Sequence, residues 1–207
     1  MLFGIGGTLL AAATGFQLVR LGYDEPGYQT LEADGAFEVR RYAPRVVART
    51  VVAGAEDEVT SEGFRRLAGY IFGGNGGDRR IAMTTPVERE PVGTRIARTT
   101  PVERAPSAGG WVVAFTMPSE HSLESLPAPN DDRVTLRELP GRTVAVLRFA
   151  GRADVASRRA RTDALRRELR ARGWEAAGAP ALAQYDPPWV LGPFRRNEVQ
   201  IPVRRPG

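Results

Sequence analysis

The side chain best suited to reversible proton or metal chemistry near neutral pH is histidine, and this 207-residue sequence has one, His121. It follows Met117-Pro118 and is flanked by Glu120 and Glu124. Cysteine is absent, which excludes disulfides, thiolate metal sites and a cysteine nucleophile. One histidine without thiolates does not make a zinc site. All 29 basic residues are arginine, so Schiff-base and lysine general-base chemistry are also excluded. No Gly-x-Ser-x-Gly elbow is present for a Ser-His-Asp hydrolase. The carboxylate pairs Glu56/Glu58 and Asp131/Asp132 lie in solvent-type segments. These residues point to binding and not to an enzyme. Met83, Met117, Tyr42, Tyr70 and Tyr185 are further possible iron donors by chemistry, although strand-borne Met83 and Met117 suit core packing better.

The formal net charge is +5, which permits contact with anionic surfaces. The densest basic stretch, Arg158 to Arg172, reads as a helix with a solvated arginine face. No nucleic-acid-binding signature accompanies it, so no nucleic-acid partner is expected. Leu2 to Val19 carries no charged side chain. As a helix it would reach about 27 Å, enough for a bilayer core. Residues 1–22 are therefore expected to be an apolar membrane anchor or an export signal, with Ala11-Ala12-Ala13 as a possible cleavage site. A packed soluble tail is the third reading. The first two place the protein at the cell envelope, membrane-anchored or periplasmic. Tyr23 to Gly27 reads as a linker into one domain, residues 23–207.

Several elements must position these groups. Phe37–Tyr42 alternates like a strand, and Arg45–Ala53 is rich in Val and Thr; across Ala43-Pro44 they predict a hairpin. Ala55–Phe72 predicts a helix with an apolar stripe of Val59, Phe64, Leu67, Ala68 and Ile71, stopped by Gly73-Gly74. Two near-copies follow, 81–89 and 96–104, which differ only at Met83 and Arg98 and suggest a local hairpin. Trp111–Met117 is an apolar strand. Arg133–Leu139 and Arg142–Ala150 predict a second hairpin across Pro140-Gly141, then a helix over about 153–172 and strands at 181–185 and 198–203. The order hairpin, helix, strands occurs twice. The expected fold is α+β: a mostly antiparallel, distorted β-barrel of two pseudo-repeated halves with two helices packed outside. A ligand would sit in the concave region between sheet and helices.

Seven segments in this order resemble the bacterial branch of the SOUL haem-binding family. They are Phe37–Tyr42, Gly63–Leu67 with Tyr70–Gly73, Ile81–Val87, Trp111–Pro118, Leu126–Pro129, Ala183–Pro188 and Arg195–Val199. The tandem Met-Thr-x-Pro-Val motif is similar to bacterial members as well. The resemblance covers residues 23 to 203. It implies the barrel-and-two-helices fold, shared with effector-binding domains of drug-responsive regulators. It also implies non-covalent binding of haem or a related porphyrin, as carrier, buffer or sensor.

Haem needs an apolar slot, cations for its propionates and usually an axial ligand. Phe64, Leu67 and Ile71 on the first helix are the expected slot, Arg65 the expected cation, and Met83 a neighbour. His121 is the expected metal ligand. Where some vertebrate members carry a histidine, this chain has Arg41, which stays protonated and offers no lone pair. The alternatives are a module for other flat apolar or cationic small molecules, or a membrane-associated interaction protein. Inward carboxylates would favour the cationic ligand; an arginine rim would favour haem.

Overall fold

The computed structural model describes residues 23–92, 110–187 and 189–206. The N-terminal apolar segment and the second copy of the repeated motif lie outside them. One curled, wholly antiparallel sheet dominates the described chain. Its strands are β1 (Tyr28–Asp34), β2 (Phe37–Tyr42), β3 (Arg45–Ala53), β4 (Val87–Pro91), β5 (Gly110–Thr116), β6 (Val134–Leu139), β7 (Arg142–Ala150), β8 (Glu175–Ala176), β9 (Ala181–Gln184) and β10 (Arg196–Arg204). Helix α1 (Glu56–Ile71) follows β3, and α2 (Val155–Ala171) follows β7. The spatial order is β1-β2-β7-β10-β9-β4-β5-β3-β6, with β8 paired to β10. The expected α+β, barrel-like antiparallel sheet with two outer helices is found, curled into a half-barrel.

The two expected hairpins are not hairpins. Phe37–Tyr42 pairs with β1 and β7, and Arg45–Ala53 pairs with β5 and β6. Ala43-Pro44 and Pro140-Gly141 are corners at which the chain leaves one half of the sheet for the other. Each corner hands its strands to the strands of the other corner, β2 to β7 and β3 to β6. The corners cross closely: a Cβ on Gly141 would lie 3.0 Å from the Tyr42 carbonyl oxygen. Proline cannot donate to a ladder, which suits Pro44 to this change of partner.

Strand alternation divides the sheet into a helix-covered face and a helix-free face. On β2, Phe37 and Val39 join Ala145, Leu165, Leu169, Leu182, Val199 and Ile201 in a core under α2. On β3, Val46 and Ala48 join Leu67, Tyr70, Ile71, Val113, Phe115 and Val134 in a core under α1. Gly63 lets α1 approach β5 closely, since a Cβ there would meet Val113 Cγ2 at 2.5 Å. Helix α2 begins where the Asp154 carboxylate accepts from the Ser157 amide at 2.8 Å, a standard N-cap.

On the helix-free face, charged and polar side chains are buried inside the curl. Glu198 is 1% exposed and accepts from Arg40 Nη1 at 3.0 Å, Arg40 Nη2 at 3.1 Å, the Tyr185 hydroxyl at 2.6 Å and Gln200 Nε2 at 2.9 Å. Arg40 Nε also donates to Glu38 at 2.6 Å. The network ties β2 to β10, which do not pair directly.

Candidate ligand-binding site

The space between α1 and the sheet is not a slot. Leu67 is fully buried and Ile71 nearly so, both packed against Val113 and Phe115, with Met83 partly buried alongside. Phe64 stands at the margin of this core with its ring 5.4 Å from Phe115, edge to face. Arg65 points outward and pairs with Glu62. These five residues build the α1 core and its surface, not the walls of either open cleft. The expected placement is therefore corrected. An amphipathic stripe reads the same whether it lines a cavity or fills one, and here close packing fills it.

Two clefts open elsewhere. The larger, about 650 Å³, lies at the end of the sheet beside the first corner. Its walls come from the linker Asp24–Gly27, the corner Ala43–Val46, the strand ends Thr84 and Thr116–Pro118, and the loop Ser119–Glu124. The linker is held down as an extra edge: Asp24 bridges Thr84, and its carbonyl accepts from the Thr85 amide at 2.9 Å. In the cleft wall, the Met117 amide donates to the Val46 carbonyl at 2.9 Å, continuing the β3–β5 ladder. The His121 loop is shaped by its own bonds, from the His121 amide to the Pro118 carbonyl (3.0 Å) and between Ser122 and Ser125. His121 is half-buried in the cleft wall, the one member of the expected site that reaches it.

Arg45 was not anticipated there. Its side chain is 8% exposed. Nη2 donates to Glu88 at 2.8 Å, but Nε and Nη1 are buried and have no hydrogen-bond partner. Thr116 Oγ1 is buried and unpartnered in the same wall. Unsatisfied buried donors of this kind cost about 1–3 kcal/mol each. Both Arg45 donors lie on one guanidinium that borders the cleft, out of solvent contact, with the Tyr42 ring centre 5.5 Å from its carbon.

The smaller cleft, about 290 Å³, lies inside the curl and is mostly apolar, with Val47, Val112, Ala114, Leu139, Ala181 and Pro202 as walls. Glu88, Glu90, Arg49 and Arg142 bring charge to it. Glu88 joins the two clefts: one carboxylate oxygen takes Arg45, and the other accepts from Arg142 Nη2 at 3.2 Å. Burial opposes ionisation of Glu88, but Arg45 and Arg142 outweigh it and hold the carboxyl below its ordinary range. Glu90 goes the other way: burial, with Glu88 nearby, pushes its carboxyl up.

The residues of the larger cleft suit haem in chemical type. His121 carries an imidazole donor, and Arg45 has orphaned donors for a carboxylate. Val46, Met117, Pro118 and Leu123 supply apolar surface. Asp24, Glu25, Glu124 and Glu138 on the same walls, against the one arginine, oppose a dianion and favour a cation. Among the described residues no group of three or more His, Asp or Glu is placed to hold a bare metal ion. The same residues contain no helix long and apolar enough to cross a membrane.

Solved structures with this fold include the C-terminal domain of EcmrR, at 12% identity and a TM-score of 0.59, covering 86% of this chain and 99% of that one. An uncharacterised conserved protein from Listeria innocua is 15% identical with a TM-score of 0.56, covering 80% and 92%. A protein described as a hydrolase from Listeria innocua is 13% identical with a TM-score of 0.55, covering 84% and 94%. At these identities the likeness is one of fold. No curated protein matches the chain at a significant level. The profile described as SOUL heme-binding protein matches residues 23–202, nearly the whole described domain. The chain belongs to the SOUL heme-binding protein family.

Proposed function

We propose that the protein binds haem or a related tetrapyrrole non-covalently in the larger cleft, as a carrier, buffer or sensor at the cell envelope, without catalysing a reaction. The observation that carries the reading is the pairing, in one cleft of about 650 Å³, of the sole histidine with the buried, half-unsatisfied Arg45. A cleft of this size is typical for a small-molecule site. Arg45 would hold a propionate, and His121 Nε2 or Nδ1 would hold the iron. Met117 and Leu123 would pack on the ring. Haem bound there supplies a redox-active or gas-binding iron, and these residues set its access and polarity.

Haemin titrated into the protein and followed at the Soret band tests the proposal. A saturable change is expected, with an altered spectrum in His121→Ala if the imidazole ligates. Absence of any saturable change in the parent overturns it.

A second reading rests on Glu90. Its half-buried carboxyl in the apolar smaller cleft suits a flat cation. Ethidium binding that is lost in Glu90→Gln would support that reading, and no binding to the parent would end it.

A further inference from the structure

The connection between β9 and β10 leaves three large apolar side chains in water. Trp189 is 73% exposed, Leu191 69% and Phe194 68%. They are not thrown out by a shapeless loop. The Val190 amide donates to the Pro187 carbonyl at 3.1 Å, the Phe194 amide to Leu191 at 2.9 Å and the Arg195 amide to Gly192 at 3.1 Å. Arg195 Nε donates back to the Val190 carbonyl at 2.8 Å. The backbone is thus bonded to itself, and the apolar side chains project from it. Single exposed apolar residues are ordinary, but three within six residues of one self-bonded turn mark an interaction site.

The surroundings select the partner. Arg152 lies under the turn, its Cγ 3.8 Å from where a Gly192 Cβ would be. Arg195 and Arg196 form the foot, fastened to the end of β7 by bonds from the Gly151 amide to the Arg195 carbonyl (3.3 Å) and from Asn197 Nδ2 to the Gly151 carbonyl (2.9 Å). Tryptophan, leucine and phenylalanine over an arginine foot is the composition of a surface that enters the headgroup layer of an anionic bilayer.

A second observation sets the loop close in chain length to the uncharged N-terminal run. Arg196 forms an ion pair with Glu25 of the linker. The uncharged run ends at Val19, six residues before Glu25, so it can lie no more than roughly 20 Å from that pair. Any bilayer holding the run is therefore within reach of the loop.

We propose that the 189–194 loop is a membrane-docking face: Trp189, Leu191 and Phe194 enter an anionic lipid headgroup layer, and the exposed Arg152 beside the loop meets a lipid phosphate. This fixes which side of the domain faces the membrane and does not depend on the tetrapyrrole reading.

Tryptophan emission tests it with the full chain. Trp174 is 8% exposed and Trp111 half-buried, so Trp189 is the solvent-exposed reporter. The protein is added to vesicles of phosphatidylcholine and phosphatidylglycerol, with or without brominated acyl chains, which quench tryptophan on contact. Brominated vesicles are expected to lower the parent's emission, and Trp189→Phe to lose most of that quenching. Leu191→Ser with Phe194→Ser should reduce it, as should omission of phosphatidylglycerol. Thermal melts check that these exposed substitutions leave the fold intact. Equal emission in both vesicles overturns the proposal, and so does equal quenching in Trp189→Phe. Vesicle binding without Trp189 quenching means that the N-terminal segment alone makes the contact, and overturns it too.

Discussion

Arg40 and Arg45 stand five residues apart on either side of the first corner, both buried and both paired to a glutamate, yet they do different work. Arg40 is complete: Nε meets Glu38, Nη2 meets Glu198, and Nη1 meets both Glu198 and Tyr42. Burial alone would weaken its charge, but Glu198 and Tyr42 outweigh that and raise its pKa. Arg45 is incomplete: one nitrogen is on Glu88, Nε and Nη1 have no hydrogen-bond partner, and the guanidinium carbon lies 5.5 Å from the Tyr42 ring centre. A satisfied buried charge network holds strands together. An unsatisfied one, at the wall of a cleft, is where the proposed ligand would find donors.

The comparison is broken most strongly by deleting Glu198. Glu198→Ala removes the partner of Arg40 Nη2 and leaves the buried guanidinium only Glu38 and Tyr42, which costs about 3–5 kcal/mol. At about 2–4 °C per kcal/mol for a chain of this size, the melting midpoint should fall by roughly 10 °C. Calorimetry or chemical denaturation measures this; a change within error would mean the network contributes nothing to the fold.

Leu67→Ala should cost about 2–5 kcal/mol through the cavity it leaves under α1. Haemin affinity of the folded fraction should not change, because Leu67 is core and lines neither cleft. Tight loss of haemin affinity without loss of stability would restore α1 as the slot.

Arg45→Met should do the reverse. It removes orphaned donors and leaves Glu88 paired to Arg142, so the melting midpoint should move less than in Glu198→Ala. Losing charge-assisted bonds of about 1.5–3 kcal/mol should weaken haemin binding roughly tenfold or more in a titration.

The smallest effect is alkaline. Burial, the largest influence, pushes the Tyr42 hydroxyl up to about 12 from 10, against the opposing pull of Arg40. The neutral phenol is favoured in the folded state, so its contribution is complete below pH 10 and is lost as pH rises from 10 through about 12. Denaturation midpoints followed over that range should fall less steeply in Tyr42→Phe than in the parent.

Much of this fold was legible because alternation and the 3.6-residue stripe are local. Strands β2, β3, β5, β6 and β7 and both helices lie within a few residues of their expected bounds. Strand β1 was not legible: Tyr28–Asp34 is almost wholly exposed, an edge without an apolar face. Pairing was not legible either. Ala43-Pro44 and Pro140-Gly141 look like hairpin turns, and only burial on both faces of the curled sheet sends their strands to different partners. At the site, His121 was visible because it has no competitors of its type. Arg45 was hidden among 29 arginines, and the glutamate that marks it, Glu88, lies 43 residues away. Its signal is an unmet hydrogen bond, which exists only after folding.

The central claim is that the incomplete arginine marks the ligand cleft. Haemin titrated side by side into the parent, Arg45→Met and Leu67→Ala, with Soret absorbance as readout, tests it most directly. Saturable binding in the parent, roughly tenfold weaker binding in Arg45→Met and parental affinity in folded Leu67→Ala is the predicted result. Parental affinity in Arg45→Met, or no saturable binding to the parent, would contradict it.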